Sequence, residues 1–413
     1  MEGALFASRW VQRPGHVTED DGGLPAGFRA AATAAGLKPG GALDVGLLVC
    51  DAPEATSAAR FTRSSVVAAP VTLMRERSRL HALRVVVANS GNANAATGRQ
   101  GLDEAARVQG AAAMAAGVDI DRVAVASTGV IGVALDGRAI VTALARLRPA
   151  LHAAGDADFV KSMMTTDAFE KRAALTVQLP SGRVRLTAQA KGAGMIEPAF
   201  ATMLCFVQTD AELAPETADL LLGVCVKRSF DRISVDGQLS TNDTAILMCS
   251  GSSGVRVAPE SEDELRFGEA LDALLRTLAL SIVRDGEGAR RIGRVVVRGG
   301  QPAAVERAAR AVANSALVKT ALHGADPNWG RIAQAVGGAL RDGAPLAIDI
   351  SIEGIEVCAG GTAVRHDAGL LAEAATGREI DYEIGLPGEG AETEVFFSDL
   401  GHEYVTINAE YTT

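Results

Sequence analysis

Aromatic residues and positive charge are both scarce in this chain of 413 residues. Phe, Trp and Tyr make up only 4% of the sequence, which leaves few side chains that could stack on nucleic-acid bases. Lys and Arg number 40 against 50 Asp and Glu, so the formal net charge is −10. A negative protein has no favourable long-range attraction to nucleic-acid phosphates or to an anionic membrane. These shortages argue against a nucleic-acid or membrane partner.

The sequence also lacks the patterns of disulfide pairing, zinc binding and membrane targeting. Its five cysteines are an odd number and include neither a CxxC pair nor a nearby histidine pair at zinc spacing. No run approaches 18 apolar residues, and the first residues lack the basic and apolar regions of a secretion signal. We therefore expect a reduced, cytoplasmic protein without a metal site.

Helix-like and strand-like segments interleave along the whole chain, which predicts a mixed α/β fold. The clearest helix starts at Ser261, which forms a capping box with Glu264. Another start is marked by Asp326 as a cap and by Pro327 at the first helical position. Helices are predicted over 102–116, 137–153, 215–228, 261–284, 302–320 and 327–338. Strands are predicted over 43–49, 84–89, 122–128, 172–179, 183–190, 202–208, 244–249, 292–298, 346–352 and 392–397. A domain boundary is predicted after the long helix, in the glycine-rich turn at 285–288.

The common catalytic templates do not occur. The sequence has no GxSxG, HExxH or GxxxxGK[ST] pattern, and its six histidines are scattered. His323 and His402 are more typical of structural or surface residues than of a catalytic triad. Catalysis, if present, must therefore use another arrangement of residues.

Four small-polar segments that contain glycine or asparagine lie at the ends of apolar strands: NSGNAN at 89–94, STGVIG at 127–132, KGAG at 191–194 and STNDT at 240–244. Each alone is typical of a turn, because Gly, Asn, Asp and Ser favour turns. Together they indicate loops that converge on one site, where exposed backbone N–H groups could stabilise an oxyanion. Thr202 starts an apolar strand after the third segment, and by pattern alone it is an ordinary β-branched strand residue.

Five further motifs occur along the chain with these segments: MTTD at 164–167, ATML at 201–204, DGEG at 285–288, DPNWGR at 326–331 and NAEYTT at 408–413. With these motifs the chain resembles, nearly end to end, the ornithine acetyltransferase family, also called the glutamate N-acetyltransferase family. The resemblance implies a layered αββα sandwich of the self-processing, N-terminal-nucleophile-like type. It also implies a main domain at 1–288 and a smaller α/β domain at 289–413, whose last residues return to the active site.

The resemblance further implies that the chain cuts itself between Ala201 and Thr202, which gives an α chain of 1–201 and a β chain of 202–413. Thr202 then becomes an N-terminal nucleophile. A free α-amino group titrates near pH 7.7–8.0, so it can serve as the base for the hydroxyl of the same residue. Thr128 and Gly129 are implied as the oxyanion hole. The implied substrate-binding residues are Thr165, Lys191, Thr202, Glu287, Asn408 and Thr413.

The implied reaction moves an acetyl group from N2-acetyl-L-ornithine to L-glutamate in arginine biosynthesis, through an acetyl ester on Thr202. It needs no metal or cofactor, although some members also use acetyl-CoA as a co-substrate. The α and β chains are expected to stay associated, as a heterotetramer made of two αβ units.

Two alternatives remain open at this point. One is an amidase or aminopeptidase, or a specialised acetyltransferase, on the same scaffold, and the other is a non-enzymatic binding protein of this fold. The sequence also departs from common family residues at Ala96, Phe200, Gly401 and 238–239. Phe200 bears most directly on self-cleavage, because it lies two residues before Thr202.

Overall fold

The structure is a computed structural model that describes residues 5–197, 203–341, 345–388 and 390–410. The strands are β1 (Val17–Glu19), β2 (Phe28–Thr33), β3 (Val45–Cys50), β4 (Thr56–Phe61), β5 (Val85–Asn89), β6 (Val123–Ser127), β7 (Lys171–Leu179), β8 (Gly182–Lys191), β9 (Leu204–Thr209), β10 (Glu212–Leu213), β11 (Ile233–Ser234), β12 (Thr244–Cys249), β13 (Arg256–Val257), β14 (Ile292–Arg298), β15 (Asp349–Ile352), β16 (Ile355–Ala359), β17 (Thr362–Ala363), β18 (Glu379–Gly385) and β19 (Glu392–Ser398). The helices are α1 (Ala69–Arg77), α2 (Gly98–Ala116), α3 (Gly137–Leu147), α4 (Asp156–Met163), α5 (Pro215–Arg228), α6 (Glu262–Arg284), α7 (Pro302–Ala313), α8 (Ala316–His323), α9 (Trp329–Ala339), α10 (Ala368–Ala374) and α11 (His402–Glu410).

Two sheets packed face to face form the centre of the fold. One has the strand order β1-β7-β8-β9-β12-β4 and the other the order β2-β3-β5-β6. Apolar side chains from both sheets and from α4 fill the space between them, where the rings of Phe159 and Phe206 lie 5.8 Å apart. Helices α2 and α3 cover the outer face of the smaller sheet, and α5 and α6 cover that of the larger one. The predicted αββα layering is confirmed.

The alternation of β8 directs its polar residues toward the space between the sheets. Ala188 and Ala190 pack with the helix-side core, so Gln189 and Lys191 point to the opposite face. Strand β8 pairs antiparallel with β9, which places Lys191 opposite Leu204. The chain on either side of the predicted cleavage bond therefore lies in neighbouring strands of one sheet.

A third sheet follows α6 and has the order β11-β19-β14-β18-β15-β16-β17. Helices α7, α8 and α9 pack on one face, against side chains such as Val295 and Val297. On the other face, Ile292 and Phe396 join the core that contains α6. The domain boundary at 288 stays a prediction, and β11 at 233–234 contributes a strand to this sheet.

Four of the predicted helices differ from the structure. The helix predicted over 137–153 ends at Leu147 and is followed by a 3-10 turn, Arg148–Ala150, and the helix predicted over 102–116 begins at Gly98. The helix predicted over 302–320 is two helices, because the chain leaves the helix at Asn314 and Ser315 caps α8 by accepting the Val318 N–H at 3.3 Å. The helix predicted from 327 begins at Trp329, since the Asp326 carboxylate accepts from the Asn328 side-chain amide and does not cap a helical N–H. The Ser261 cap is confirmed, with the Glu264 N–H donating to its hydroxyl at 3.1 Å.

All five cysteines are free and buried. Within the described ranges, no helix has the length and apolar character needed to cross a lipid bilayer.

Candidate active site

A cavity of about 240 Å³ opens where the loops of the central sheets meet α11. It is smaller than the roughly 300–1,000 Å³ of drug-sized ligand sites, which favours a small ligand. All four small-polar segments contribute to its wall. The lining residues are Ala93, Thr128, Gly129, Ile131, Thr165, Thr166, Lys191, Gly194, Met195, Asp236, Gln238, Ser240, Thr241, Asn242, Glu287, Tyr404 and Asn408.

Thr128 and Gly129 follow β6 and supply hydrogen-bond donors at the cavity wall. The backbone N–H of Thr128 donates to the Asn89 carbonyl at 3.0 Å, so its hydroxyl is the group left for a ligand. Gly129 has φ +126°, and a Cβ there would lie 2.4 Å from the carbonyl carbon of Gly91. Only glycine fits this backbone. Among the described residues no acceptor takes the Gly129 N–H, so it is available to an oxyanion.

Lys191 places a buried cation beside these donors. Its side chain is 2% exposed, and its ammonium donates to the Thr165 hydroxyl at 2.8 Å and to the Thr128 hydroxyl at 3.4 Å. Burial lowers the pKa of Lys191, while the Asp167 carboxylate, 3.7 Å away, acts in the opposite direction. The ammonium thus has two hydroxyl partners and one nearby carboxylate before any ligand binds.

Asp167 joins the segments that carry Thr165 and Lys191. Its carboxylate accepts the N–H groups of Thr165 at 3.0 Å and Gly192 at 2.7 Å, and the Lys171 ammonium at 2.8 Å. Burial alone would raise the pKa of Asp167, but the charges of Lys191 and Lys171 outweigh it and hold that pKa well below its usual range. Lys171 also bonds to Asp285, so two buried cations face two buried carboxylates.

Glu287 provides a carboxylate in the cavity wall. It lies in the loop after α6, where the Thr166 hydroxyl donates to one oxygen at 2.9 Å and the Asn408 side-chain amide to the other at 2.5 Å. A Cβ on Gly194 would come within 2.3 Å of the Glu287 carboxylate. Glu287 therefore touches α11 and the glycine turn, and its charge suits the amino group of a ligand.

Asp236 fixes the turn that leads toward the cleavage position. It accepts the N–H groups of Met195 at 2.6 Å and Ile196 at 2.9 Å, and the Tyr404 hydroxyl at 3.3 Å. Burial raises the pKa of Asp236. Neither Asp236 nor Tyr404 could be recognised from the sequence, because Asp236-Gly237 has the composition of an ordinary turn and no helix was predicted around Tyr404.

The structure brings six of the predicted site residues to one cavity: Thr128, Gly129, Thr165, Lys191, Glu287 and Asn408. Ala201, Thr202 and Thr413, and the unusual Phe200, lie outside the described residues. The individual roles stay predictions. His323 bonds to Asp399 at 2.9 Å and, like His402, is not part of the cavity wall. In the described ranges, no group of three or more His, Cys, Asp or Glu side chains is arranged to hold a metal ion.

Comparison with known proteins gives consistent matches over almost the whole chain. A family model described as the ArgJ family matches residues 29–413. The arginine biosynthesis bifunctional protein ArgJ of Nitratidesulfovibrio vulgaris is 42% identical over 393 residues, which cover 94% of this chain and 98% of that protein. The protein of the same name from Geobacter sulfurreducens is 42% identical over 394 residues, covering 94% and 99%.

Solved structures give partial matches. A crystal structure of ornithine acetyltransferase complexed with ornithine from Mycobacterium tuberculosis is 34% identical, with a TM-score of 0.41. It covers 44% of this chain and 98% of that one. The assignment rests on the family model and on the two relatives, which span nearly the full sequence: the chain belongs to the ArgJ family.

Proposed function

We propose that this chain is a glutamate N-acetyltransferase of arginine biosynthesis, which moves an acetyl group from N2-acetyl-L-ornithine to L-glutamate. The observation that carries the proposal is the convergence of oxyanion donors, a cation and a carboxylate on one cavity of an ArgJ family member. Lys191 in the cavity wall is paired with Leu204, two residues after the proposed nucleophile Thr202.

The first half-reaction transfers the acetyl group to the enzyme. The Thr202 hydroxyl attacks the acetyl carbonyl of acetyl-ornithine, and the free α-amino group of Thr202 takes the hydroxyl proton. Negative charge then develops on the carbonyl oxygen, where the Thr128 hydroxyl and the Gly129 N–H donate hydrogen bonds. The C–N bond breaks, the proton passes to the leaving amine, and ornithine departs from an acetyl ester on Thr202.

The second half-reaction reverses these steps with glutamate. The α-amine of glutamate attacks the ester carbonyl, the same donors stabilise the oxyanion, and Thr202 leaves as N-acetylglutamate forms. One amide bond is broken and one is made, so the exchange needs no ATP, metal or resident cofactor. Acetyl-CoA is a second candidate donor, and it would load the same ester on Thr202.

The charges in the cavity fit charged groups of the substrates. Each substrate carries an α-carboxylate, for which Lys191 is the cationic partner, with Thr165 as a hydroxyl donor beside it. Glu287 faces the cavity, and hydrogen bonds orient both of its carboxylate oxygens. It therefore suits the side-chain amino group of acetyl-ornithine. In a ping-pong mechanism the donor and the acceptor bind to the same site one after the other. One small cavity is sufficient for this sequence of binding.

Self-cleavage between Ala201 and Thr202 would release the amine that activates the nucleophile. The two products would remain together, because β8 from one chain and β9 from the other pair over six residues, from Leu186–Thr209 to Lys191–Leu204. We propose that they work as paired αβ units, in a reducing cytoplasm that keeps the buried cysteines as thiols.

The test is a transfer assay with the purified protein. Acetyl-ornithine and glutamate should yield N-acetylglutamate and ornithine in equal amounts, and Thr202→Ala should abolish both products. Release of acetate at the same rate with and without glutamate would instead show an amidase. Binding of acetyl-ornithine without any turnover would show a binding protein.

A further inference from the structure

Asn242 lies in a short loop, residues 240–244, that joins the two halves of the reaction centre. We call these residues the brace loop. The Asn242 side chain is buried, and its amide donates to the carbonyls of Ala93 at 2.6 Å and Ser127 at 2.9 Å. Ser127 directly precedes Thr128. Asn242 therefore attaches the brace loop to the backbone that presents the oxyanion donors.

Asp243, the next residue, attaches the brace loop to the strand that begins after the cleavage position. Its carboxyl Oδ1 accepts the Met203 N–H at 2.9 Å, and the N–H of Thr244 donates to the Met203 carbonyl at 3.1 Å. The carbonyl of Asp243 is in turn held by the Thr62 N–H at 3.0 Å. Both polar backbone groups of Met203 are thus fixed by two consecutive residues of the brace loop.

We propose that Asn242 and Asp243 are positioning residues that set the placement of the nucleophile, residue 202, relative to the oxyanion donors at 128 and 129. The inference rests on the proposed function. The peptide bond between residues 202 and 203 is planar, so fixing the Met203 N–H constrains the direction in which the chain leaves residue 202. A misplacement of about 1 Å at a reacting group can cost about 100-fold in rate.

Asp243 acts as a hydrogen-bond acceptor and not as a charge. The side chain is fully buried, and burial raises the pKa of Asp243 to about 8, so its carboxyl is mostly neutral at pH 7. A neutral carboxyl offers a carbonyl oxygen to the Met203 N–H, and the amide of asparagine offers an equivalent oxygen in the same shape. Asp243→Asn therefore keeps the contact, whereas Asp243→Ala removes it.

The experiment compares Asp243→Ala, Asp243→Asn and Asn242→Ala with the wild type in the full chain. Self-cleavage is followed by mass spectrometry, and kcat and KM of the transfer are measured on the processed fraction. We expect both alanine variants to lower kcat about 10- to 100-fold, with KM changed less than about threefold. We expect Asp243→Asn to stay within about threefold of the wild type in both cleavage and kcat.

A matched control is Asp349→Ala in the C-terminal sheet. It removes a contact of the same type, in which the Gly360 N–H donates to an aspartate side chain at 2.7 Å, and Asp349 does not line the cavity. Its kcat should equal that of the wild type. If the thermal melt shows that Asp243→Ala does not fold, the kcat of Asn242→Ala alone tests the proposal.

Wild-type kcat in the folded alanine variants would overturn the proposal. A kcat of Asp243→Asn as low as that of Asp243→Ala would also overturn it, because charge and not the acceptor would then matter. These outcomes differ from a failure of the proposed function, in which the wild type itself would show no transfer.

Discussion

Replacing Thr128 by valine tests one donor of the proposed oxyanion hole, because valine keeps the shape of the side chain and removes its hydroxyl. The backbone cannot supply a substitute, since the Thr128 N–H already donates to the Asn89 carbonyl. Only the Gly129 N–H would remain for the oxyanion. Loss of one such donor typically costs about 100- to 1,000-fold in kcat, or roughly 2.7–4 kcal/mol of transition-state stabilisation.

The binding of substrate should change little in Thr128→Val. Lys191 loses its longer contact, at 3.4 Å, but keeps the Thr165 hydroxyl at 2.8 Å, so the cation stays in place. We expect KM to remain within about threefold of the wild type while kcat falls, the pattern of an interaction made mainly in the transition state.

The assay is the initial rate of N-acetylglutamate formation, normalised to the amount of processed enzyme. Thr128→Ser is the control, since it keeps the hydroxyl and should retain most of the activity. A kcat for Thr128→Val within about threefold of the wild type would refute the assignment of this hydroxyl to the oxyanion hole.

Three further predictions concern binding, packing and pH. Glu287→Gln should raise KM for acetyl-ornithine about 10-fold or more in steady-state kinetics, because it removes the charge opposite the amino group; an unchanged KM would contradict this role. Phe159→Ala should cost about 3–5 kcal/mol by opening a cavity between the two sheets, seen as a lower melting temperature, whereas Leu220→Ala, at 58% exposure, should melt within about one degree of the wild type. Because burial raises the pKa of Asp243 from 3.8 to about 8, the folded state keeps a proton that the unfolded state loses over that range. The stability that this group contributes is therefore lost as pH rises. Between about pH 5 and pH 8 the melting temperature of the wild type should fall relative to that of Asp243→Asn. Parallel plots of melting temperature against pH for the two proteins would contradict this prediction.

Local signals in the sequence predicted most of the central layers. The helix at 215–228 and the strands at 244–249 and 292–298 are found with the predicted bounds. These segments combine clear apolar patterns with clear ends, such as Pro215 at the first turn of α5. Helices α1, α4, α10 and α11 were not predicted. Helix α11 has no buried residue, so its sequence carries no apolar stripe.

At the site, too, residues in locally distinctive segments could be predicted, whereas residues defined by contacts between distant segments could not. The glycine and asparagine segments were found because their composition departs from that of the apolar strands beside them. Asp236 could not be recognised, since its partners Met195, Ile196 and Tyr404 are up to 168 residues away in the chain. Asp167 and Asp243 stood inside recognised motifs, but only the fold shows that they accept the N–H groups of Gly192 and Met203, next to proposed site residues.

The central claim is that Thr202 becomes an N-terminal nucleophile, and the mass of the purified, denatured protein tests it most directly. We expect two fragments in place of the intact 42.5 kDa chain, one ending at Ala201 and the other beginning with Thr202. A single intact chain with full transferase activity would contradict it.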